Sequence, residues 1–336
     1  MKPLDEFVRV LRDFDGISRK YVLPQILTRL REESYRGGLP HSLGEDSAVI
    51  EMEKDEVMLL TTDSIVEELC LHYPRAAGFN VVLANVMDIY AAGGVPNSFA
   101  VALSYSDSQI GEMLLQGLID GSNKFRVPIV RGHTNPHSGT TYVVGSAVGK
   151  VKKRDLLTSG GAQPDDAIIL IYDRSGKRGS SYKLGWDCVS DATSESVVDR
   201  LSTMSTLARA HVLSASKDVS VAGLVGTAGM MLEYSDTGGY IDMDAVERTS
   251  PDSIELEDWI RMYISLGFLV AVREKNVHRV SEIVSNHGME IASIGHVDGS
   301  HNFRLKSGRE DRVLFDFSRG PVLTPRDKAV QKRLPT

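Results

Sequence analysis

The sequence predicts an α/β (α+β) chain of two domains, and three observations carry that prediction. Its 336 residues are more than one hydrophobic core usually organises, and at roughly 150 residues per domain they suggest two. Strand-like and helix-like patterns alternate through the first 150 residues, and again after residue 166. Between the two stretches lies a basic link, Lys150 to Arg154, followed by the turn-rich run Ser159-Gly160-Gly161-Ala162-Gln163-Pro164. The expected division is 1–153 and 154–325, with a tail at 326–336.

The elements follow in order. Leu4, Phe7, Val8, Val10 and Leu11, then Val22, Leu23, Ile26, Leu27 and Leu30, sit at helical spacing, and Gly37-Gly38-Leu39-Pro40 ends that opening region. Ser47–Glu51 and Val57–Thr62 read as short strands around the charged turn Glu53 to Glu56. Pro74–Ala92 reads as a helix, with Pro at its start and Gly93-Gly94 as its stop. A strand at Ser98–Ser104 precedes a helix at Ser108–Phe125, which presents Ile110, Met113, Leu114, Leu118 and Phe125 to a core. Val127–Arg131 and Thr140–Val151 read as further strands. In the second half, strands are expected at Asp166–Tyr172, Gly267–Val272 and Ile291–Val297. Helices are expected at Ser194–Ser214, Val219–Tyr234 and Val277–His287.

Composition excludes several classes. Lys and Arg total 38 against 45 Asp and Glu, so the net charge is -7, and the basic face of a dedicated nucleic-acid binder is not expected. No apolar run approaches the roughly 18 residues that span a bilayer. Two cysteines, Cys70 and Cys188, are too few for a disulfide framework or a four-thiolate metal site. A soluble cytoplasmic protein is expected.

The informative feature is where the acids fall. Gly44-Glu45-Asp46-Ser47 places two carboxylates before a strand, Thr61-Thr62-Asp63 places one at the end of another, and Asn85 and Asp88 share one face of a helix. Adjacent acids repel, and an acid beside an apolar run loses hydration. A hard, oxygen-seeking cation relieves both effects. Carboxylates drawn from several elements, with few His and Cys, suit Mg²⁺ bridging phosphates better than Zn²⁺. Single acids at strand ends and helix caps are common for structural reasons, so the set carries the argument rather than any member.

Other motifs point less clearly. Neither G-x-x-x-x-G-K-[ST] nor a strand–G-x-G-x-x-G–helix occurs. His133 and His137 flank Pro136 on a loop, where the helical spacing of a metal pair is lost. The Arg174–Lys183 loop gathers cations and glycines suited to an anionic group or simply to solvent. Trp186-Asp187 offers an aromatic wall with an acid, or ordinary packing.

Taken as a set, the motifs resemble those of the aminoimidazole ribonucleotide synthetase-like (PurM-like) superfamily. Gly44-Glu45-Asp46-Ser47-Ala48-Val49 is similar to its G-D-D-A-A-V element, and Thr61-Thr62-Asp63 to its T-T-D. Asn85 to Pro96 resembles N-x-x-D-x-x-A-x-G-A-x-P, and Gly132-His133-Thr134 sits where members carry G-G-D-T and its variants. Gly160 to Asp166 resembles the interdomain G-A-x-x-G-D. Asp218 to Leu224 resembles D-x-S-D-G-G-L, and Ile294-Gly295-His296-Val297 the terminal I-G-x-V.

The resemblance implies a mixed-sheet N-terminal domain that binds ATP with Mg²⁺ and forms a homodimer, under a C-terminal α/β domain that closes over the site. It implies metal-binding roles for Asp46, Asp63 and Asp88, and nucleotide-binding roles for Glu45, Asp63, Asn85, Asp88, Gly132 and Thr134. Catalytic positions fall on Asp46, Asp218 and His133. The implied activity is ATP- and Mg²⁺-dependent phosphorylation or activation of a small-molecule acceptor. The alternative is a nucleotide-binding regulator or maturation partner that has lost catalysis.

Two departures narrow the lineage. No Cys ends the chain, as it does in the hydrogenase maturation branch, and none lies near the amino terminus, as in selenophosphate synthetase. Thiamine-monophosphate kinase carries acids where this chain has His133 and Val221. Trp186-Asp187 and Gly-His-Thr-Asn-Pro look most like the branch labelled methanogenesis marker protein 2. On this reading Asp46→Ala or Asp63→Ala abolishes Mg²⁺-dependent nucleotide binding and leaves the fold intact.

Overall fold

Alternating apolar residues build the first sheet, and the computed structural model describes residues 2–35, 44–52 and 55–324 of the chain. The expected break at Gly37 to Pro40 and the 326–336 tail lie outside these residues. Six strands form that sheet, in the order Ala48–Glu51, Glu56–Leu60, Tyr142–Lys152, Val95–Tyr105, Ile129–Pro136, with Asp63–Ser64 also paired to Tyr142–Lys152. The sheet is mixed. Val95–Tyr105 and Ile129–Pro136 run parallel because the Ser108–Phe125 helix carries the chain back between them, and the other pairs are antiparallel.

One face of this sheet is covered by the Pro74–Ala91 and Ser108–Phe125 helices. Pro74 opens the first with a φ already suited to a helix, and Asp107 caps the second by accepting from the amides of Gln109 and Ile110. The two helices approach backbone to backbone. A Cβ on Gly78 would sit 2.1 Å from the Leu114 carbonyl oxygen, and one on Gly117 2.0 Å from that of Arg75. Leu114, Leu118 and Phe125 are buried as the spacing predicts, whereas Met113 faces solvent.

The second domain is built on a seven-stranded sheet. Its order is Ala215–Asp218, Phe268–Arg273, Asp166–Tyr172, Glu290–Asp298, Gly238–Asp242, Asn302–Ser307, Glu310–Asp316. Asp166–Tyr172 lies inside the sheet and is buried at every residue, which explains its unbroken apolar run. The helices Ser194–Ala210, Gly223–Tyr234 and Val277–Asn286 pack around it. A small sheet joins Tyr263–Ile264, Gly185–Asp187 and Lys177–Arg178.

The first helix, Leu4–Asp13, packs against the second domain's sheet. Arg12 donates to the Leu314 carbonyl at 2.8 Å and 3.0 Å, and Asp5 accepts from Arg312 at 2.8 Å, so the Glu310–Asp316 edge strand is shielded. Gly16 follows in a short turn of helix, where a Cβ would stand 2.1 Å from the Val221 carbonyl oxygen. Among the described residues no helix is long and apolar enough to cross a membrane.

Candidate functional site between the two domains

The site begins with a threonine and an asparagine. Strand Glu56–Leu60 continues in register through Thr61 to Asp63, so Thr61 and Asp63 point toward the helix-covered face and Thr62 points away. Thr61 Oγ1 donates to Asn85 Oδ1 at 2.7 Å, and Asn85 Nδ2 donates to the Val81 carbonyl at 2.8 Å. Asn85 is fully buried and pins the Pro74–Ala91 helix to the sheet. Asp88, three residues on, then lies over the strand ends, and Ser47 Oγ donates to its carbonyl at 3.1 Å.

The acidic loop crosses to the other domain. Glu45 Oε2 accepts from the Ser159 amide at 2.7 Å, tying the loop to the interdomain segment. Asp46 pairs with the ammonium of Lys217, whose side chain is only 4% exposed. Lys217 and Asp218 end the strand Ala215–Asp218, buried at all four positions. Ligand oxygens of Asp46, Asp88 and Asp218 lie within 4.8 Å of one another. Three acids from a loop, a helix and a strand of two domains thus meet at one point.

The electrostatics follow from burial. Desolvation pushes Asp88 well above the usual carboxylate range, and the charges of Asp63, Asp218 and Asp46 push it further. Desolvation and the Asp46 charge raise Asp218 to about 7, against the pull of Lys217. Asp46 is also raised, by desolvation, with Lys217 opposing. Desolvation disfavours the Lys217 charge, but Asp46 and Asp218 outweigh it and hold the ammonium protonated. Glu45 is raised by burial, with the Ser159 amide opposing. Burial and mutual repulsion thus disfavour the ionised form of these carboxyls.

Three residues at this site lie outside the motifs that mark the acids in sequence. Lys217 is one, although a charged Lys-Asp pair between two apolar runs was the available clue. Tyr263 is another: its Oη is buried without a hydrogen-bond partner among the described residues, and desolvation plus the charges of Asp218, Asp88 and Asp63 hold its phenol well above its usual range. The third is Lys20, whose ammonium is disfavoured by burial and by Lys217 while Asp63 and Asp218 support it. All three come from segments distant in sequence.

The remaining expected residues lie elsewhere. Gly132, His133 and Thr134 belong to the exposed edge strand Ile129–Pro136 and stand opposite Val101, Ala102 and Leu103. Val101 pairs across Gly145 to Asp63, so Gly132 shares a row and a face with Asp63 but stands at the sheet's far edge. His133, one residue on, points to the opposite face from the acids, as strand alternation requires. The structure does not bring it to them.

Trp186 is packing: its Nε1 donates to the Asp173 carbonyl at 2.9 Å and its ring meets Trp259 edge-on at 5.6 Å. Cys188 is buried and its thiol is pushed up by desolvation, so it is inert. Cations of the Arg174–Lys183 loop are engaged locally, Lys177 with Asp191 at 2.5 Å and Arg178 with Asp258 at 2.8 Å.

Comparison with known proteins places this arrangement. Residues 44–151 match the family described as AIR synthase related protein, N-terminal domain, and residues 163–308 its C-terminal domain. An uncharacterized protein of Synechocystis sp. is 34% identical over 320 residues, covering 95% of this chain and 98% of its own. The solved structure of T. maritima PurL complexed with ADP aligns with a TM-score of 0.72 at 15% identity, over 96% of this chain and 52% of that one. AaThiL complexed with AMPPCP and TMP aligns with a TM-score of 0.63 at 17% identity, over 87% of this chain and 96% of its own. With both domains matched in order and a relative spanning nearly its whole length, the chain belongs to the AIR synthase related, PurM-like family.

Proposed function

We propose that this chain is an ATP- and Mg²⁺-dependent enzyme that phosphorylates or activates a small-molecule acceptor. The observation that carries the reading is the meeting of Asp46, Asp88 and Asp218 oxygens within 4.8 Å, from both domains. Proteins of similar fold are complexed with ADP in the PurL structure and with AMPPCP and TMP in the AaThiL structure, which supports a nucleotide as the ligand.

The residues fit a hard divalent ion. All three donors are carboxylates whose mutual repulsion in a buried site a cation relieves, and the Tyr263 Oη is buried without a hydrogen-bond partner among the described residues. Asp46, Asp88 and Asp218 would hold Mg²⁺, with Asp63 beside Asp88. Held there, Mg²⁺ would supply neutralising charge for phosphate oxygens. Lys217 and Lys20 add positive charge for anionic oxygens, Tyr263 offers a phenolic donor, and the enclosing second domain excludes water.

The N-terminal sheet supports a homodimer. Its uncovered face carries Leu60, and its edge carries Val130 at 65% exposure, which suits pairing with a second copy. A solution mass of one chain removes that part of the proposal. A second reading, a nucleotide-binding regulator without turnover, is favoured by Val221, which stands 39% exposed where the family motif has an acid. Release of ADP from ATP in the presence of Mg²⁺, screened over a panel of small hydroxyl, amine and phosphate acceptors, separates the two. Acceptor-dependent ADP supports the enzyme, and nucleotide binding with no turnover on any acceptor supports the regulator.

A further inference from the structure

Lys217, which the proposed function assigns to anionic oxygens, stands instead on an acid of the site. It is a lysine at the interdomain contact, with its ammonium on a carboxylate that also belongs to the metal-competent trio. Asp46, Asp218 and Glu45 all face it with negative charge, and Lys20 faces it with positive charge. We infer that Lys217 is a built-in competitor for the divalent ion: it occupies Asp46 in the metal-free chain and leaves that carboxylate when the three acids take up a metal together. The inference rests on the proposed metal reading of the site.

The physical argument is one of charge and reach. The Asp46, Asp88 and Asp218 oxygens already lie close enough for one ion, so the site needs no large rearrangement of its carboxylates. What stands on Asp46 itself is the Lys217 ammonium, with the Lys20 charge adding to it. A unit charge and a divalent ion within roughly 5 Å repel strongly even at an effective dielectric near 20. The two groups differ in mobility. Asp88 is fixed on a helix pinned through Asn85, and Asp218 on a buried strand, whereas a lysine ammonium moves on a flexible four-carbon stem. The lysine yields and the carboxylates stay.

Once displaced, the ammonium is released from Asp46 beside the acids and becomes available to phosphate oxygens. Lys217 therefore opposes the bare metal and favours the nucleotide. A lysine that stayed on Asp46 would also repel the metal, but it would not favour the nucleotide.

The test uses the full-length chain and Mn²⁺ as the probe, followed by electron paramagnetic resonance at pH 8 without nucleotide. Lys217→Met and Lys217→Gln bind Mn²⁺ at least tenfold more tightly than wild type, Lys217→Arg does not, and both neutral variants bind ADP with Mn²⁺ at least tenfold more weakly. Equal or weaker Mn²⁺ binding by the neutral variants overturns the inference while leaving the metal reading in place. Absence of Mn²⁺ binding in every protein removes the metal reading and the inference with it. Because loss of Lys217 can impair folding, wild type gives a second measurement by amine acylation and mass spectrometry. Lys217 reacts several-fold faster when Mg²⁺ is added, and an unchanged rate contradicts the inference.

Discussion

Asp46 and Asp88 make opposite contributions at the scale of single residues, although both are acids of one cluster. Asp46 is ion-paired with a buried lysine, so Asp46→Ala leaves the Lys217 ammonium without its partner. Removing one member of a buried pair destabilises by about 3–5 kcal/mol, and chemical denaturation should show that loss before any ligand is added. The expectation that Asp46→Ala spares the fold is therefore replaced. Asp88 carries a carboxyl that burial and neighbouring acids already drive toward its neutral form, so Asp88→Asn resembles its protonated state. That variant should melt no lower than wild type at pH 8 while losing all stabilisation by Mg²⁺. A fall in melting temperature comparable to that of Asp46→Ala would mark Asp88 as structural.

The pH dependence has a definite sign. Asp218 titrates near 7 in the folded chain and near 4 when unfolded, so between those values the folded state binds more protons. Metal-free stability then falls as pH rises from about 4 to 7, by at most about 1.4 kcal/mol per pH unit for this one group. Mg²⁺ takes the place of those protons, so its stabilising effect should grow over the same interval and level off above it. Melting curves at several pH values, with and without Mg²⁺, check both slopes. A Mg²⁺ effect that is constant from pH 5 to 8 contradicts the assignment.

At the scale of elements, the closest constraint lies between the Pro74–Ala91 and Ser108–Phe125 helices. Gly78 and Gly117 let the two backbones meet, and a methyl group at either position would enter a carbonyl oxygen. Gly78→Ala or Gly117→Ala should destabilise by about 1–3 kcal/mol and shift the helix that carries Asn85 and Asp88. Weaker Mg²⁺ binding should accompany the stability loss, and a variant with unchanged stability would show that the helices can separate freely.

Legibility in sequence followed burial pattern at this scale. Ser108–Phe125 and Asp166–Tyr172 were readable to the residue because one has a capped amphipathic face and the other is apolar throughout. Asn302–Ser307 and Glu310–Asp316 were not read as strands, since Arg304, Lys306, Asp311 and Arg312 interrupt short apolar alternations. Gly238–Asp242 was missed because Gly238-Gly239 resembles a turn, while its register partners come from distant strands. Among site residues, Asp46, Asp88 and Asp218 were visible as acids beside apolar runs. Tyr263 and Lys20 gain meaning only from three-dimensional placement, and the opposite-face position of His133 depends on a register that short motifs do not reveal.

At the scale of the whole molecule, the acid site is an interdomain contact. Lys217 and Asp218 come from the second domain, Asp46 and Asp88 from the first, and Ser159 holds Glu45 from the segment between them. The opening segment also belongs to this junction: Leu4–Asp13 packs on the second sheet and Gly16 abuts Val221 next to Asp218. Ligand binding at the acids should therefore stabilise both domains as one cooperative unit.

Isothermal titration of ATP into the wild-type chain and into Asp88→Asn, each with and without Mg²⁺, tests the central claim most directly. The account predicts binding by wild type that strengthens at least tenfold with Mg²⁺, and no Mg²⁺ effect in the variant. Identical, metal-independent titrations of the two proteins would contradict it.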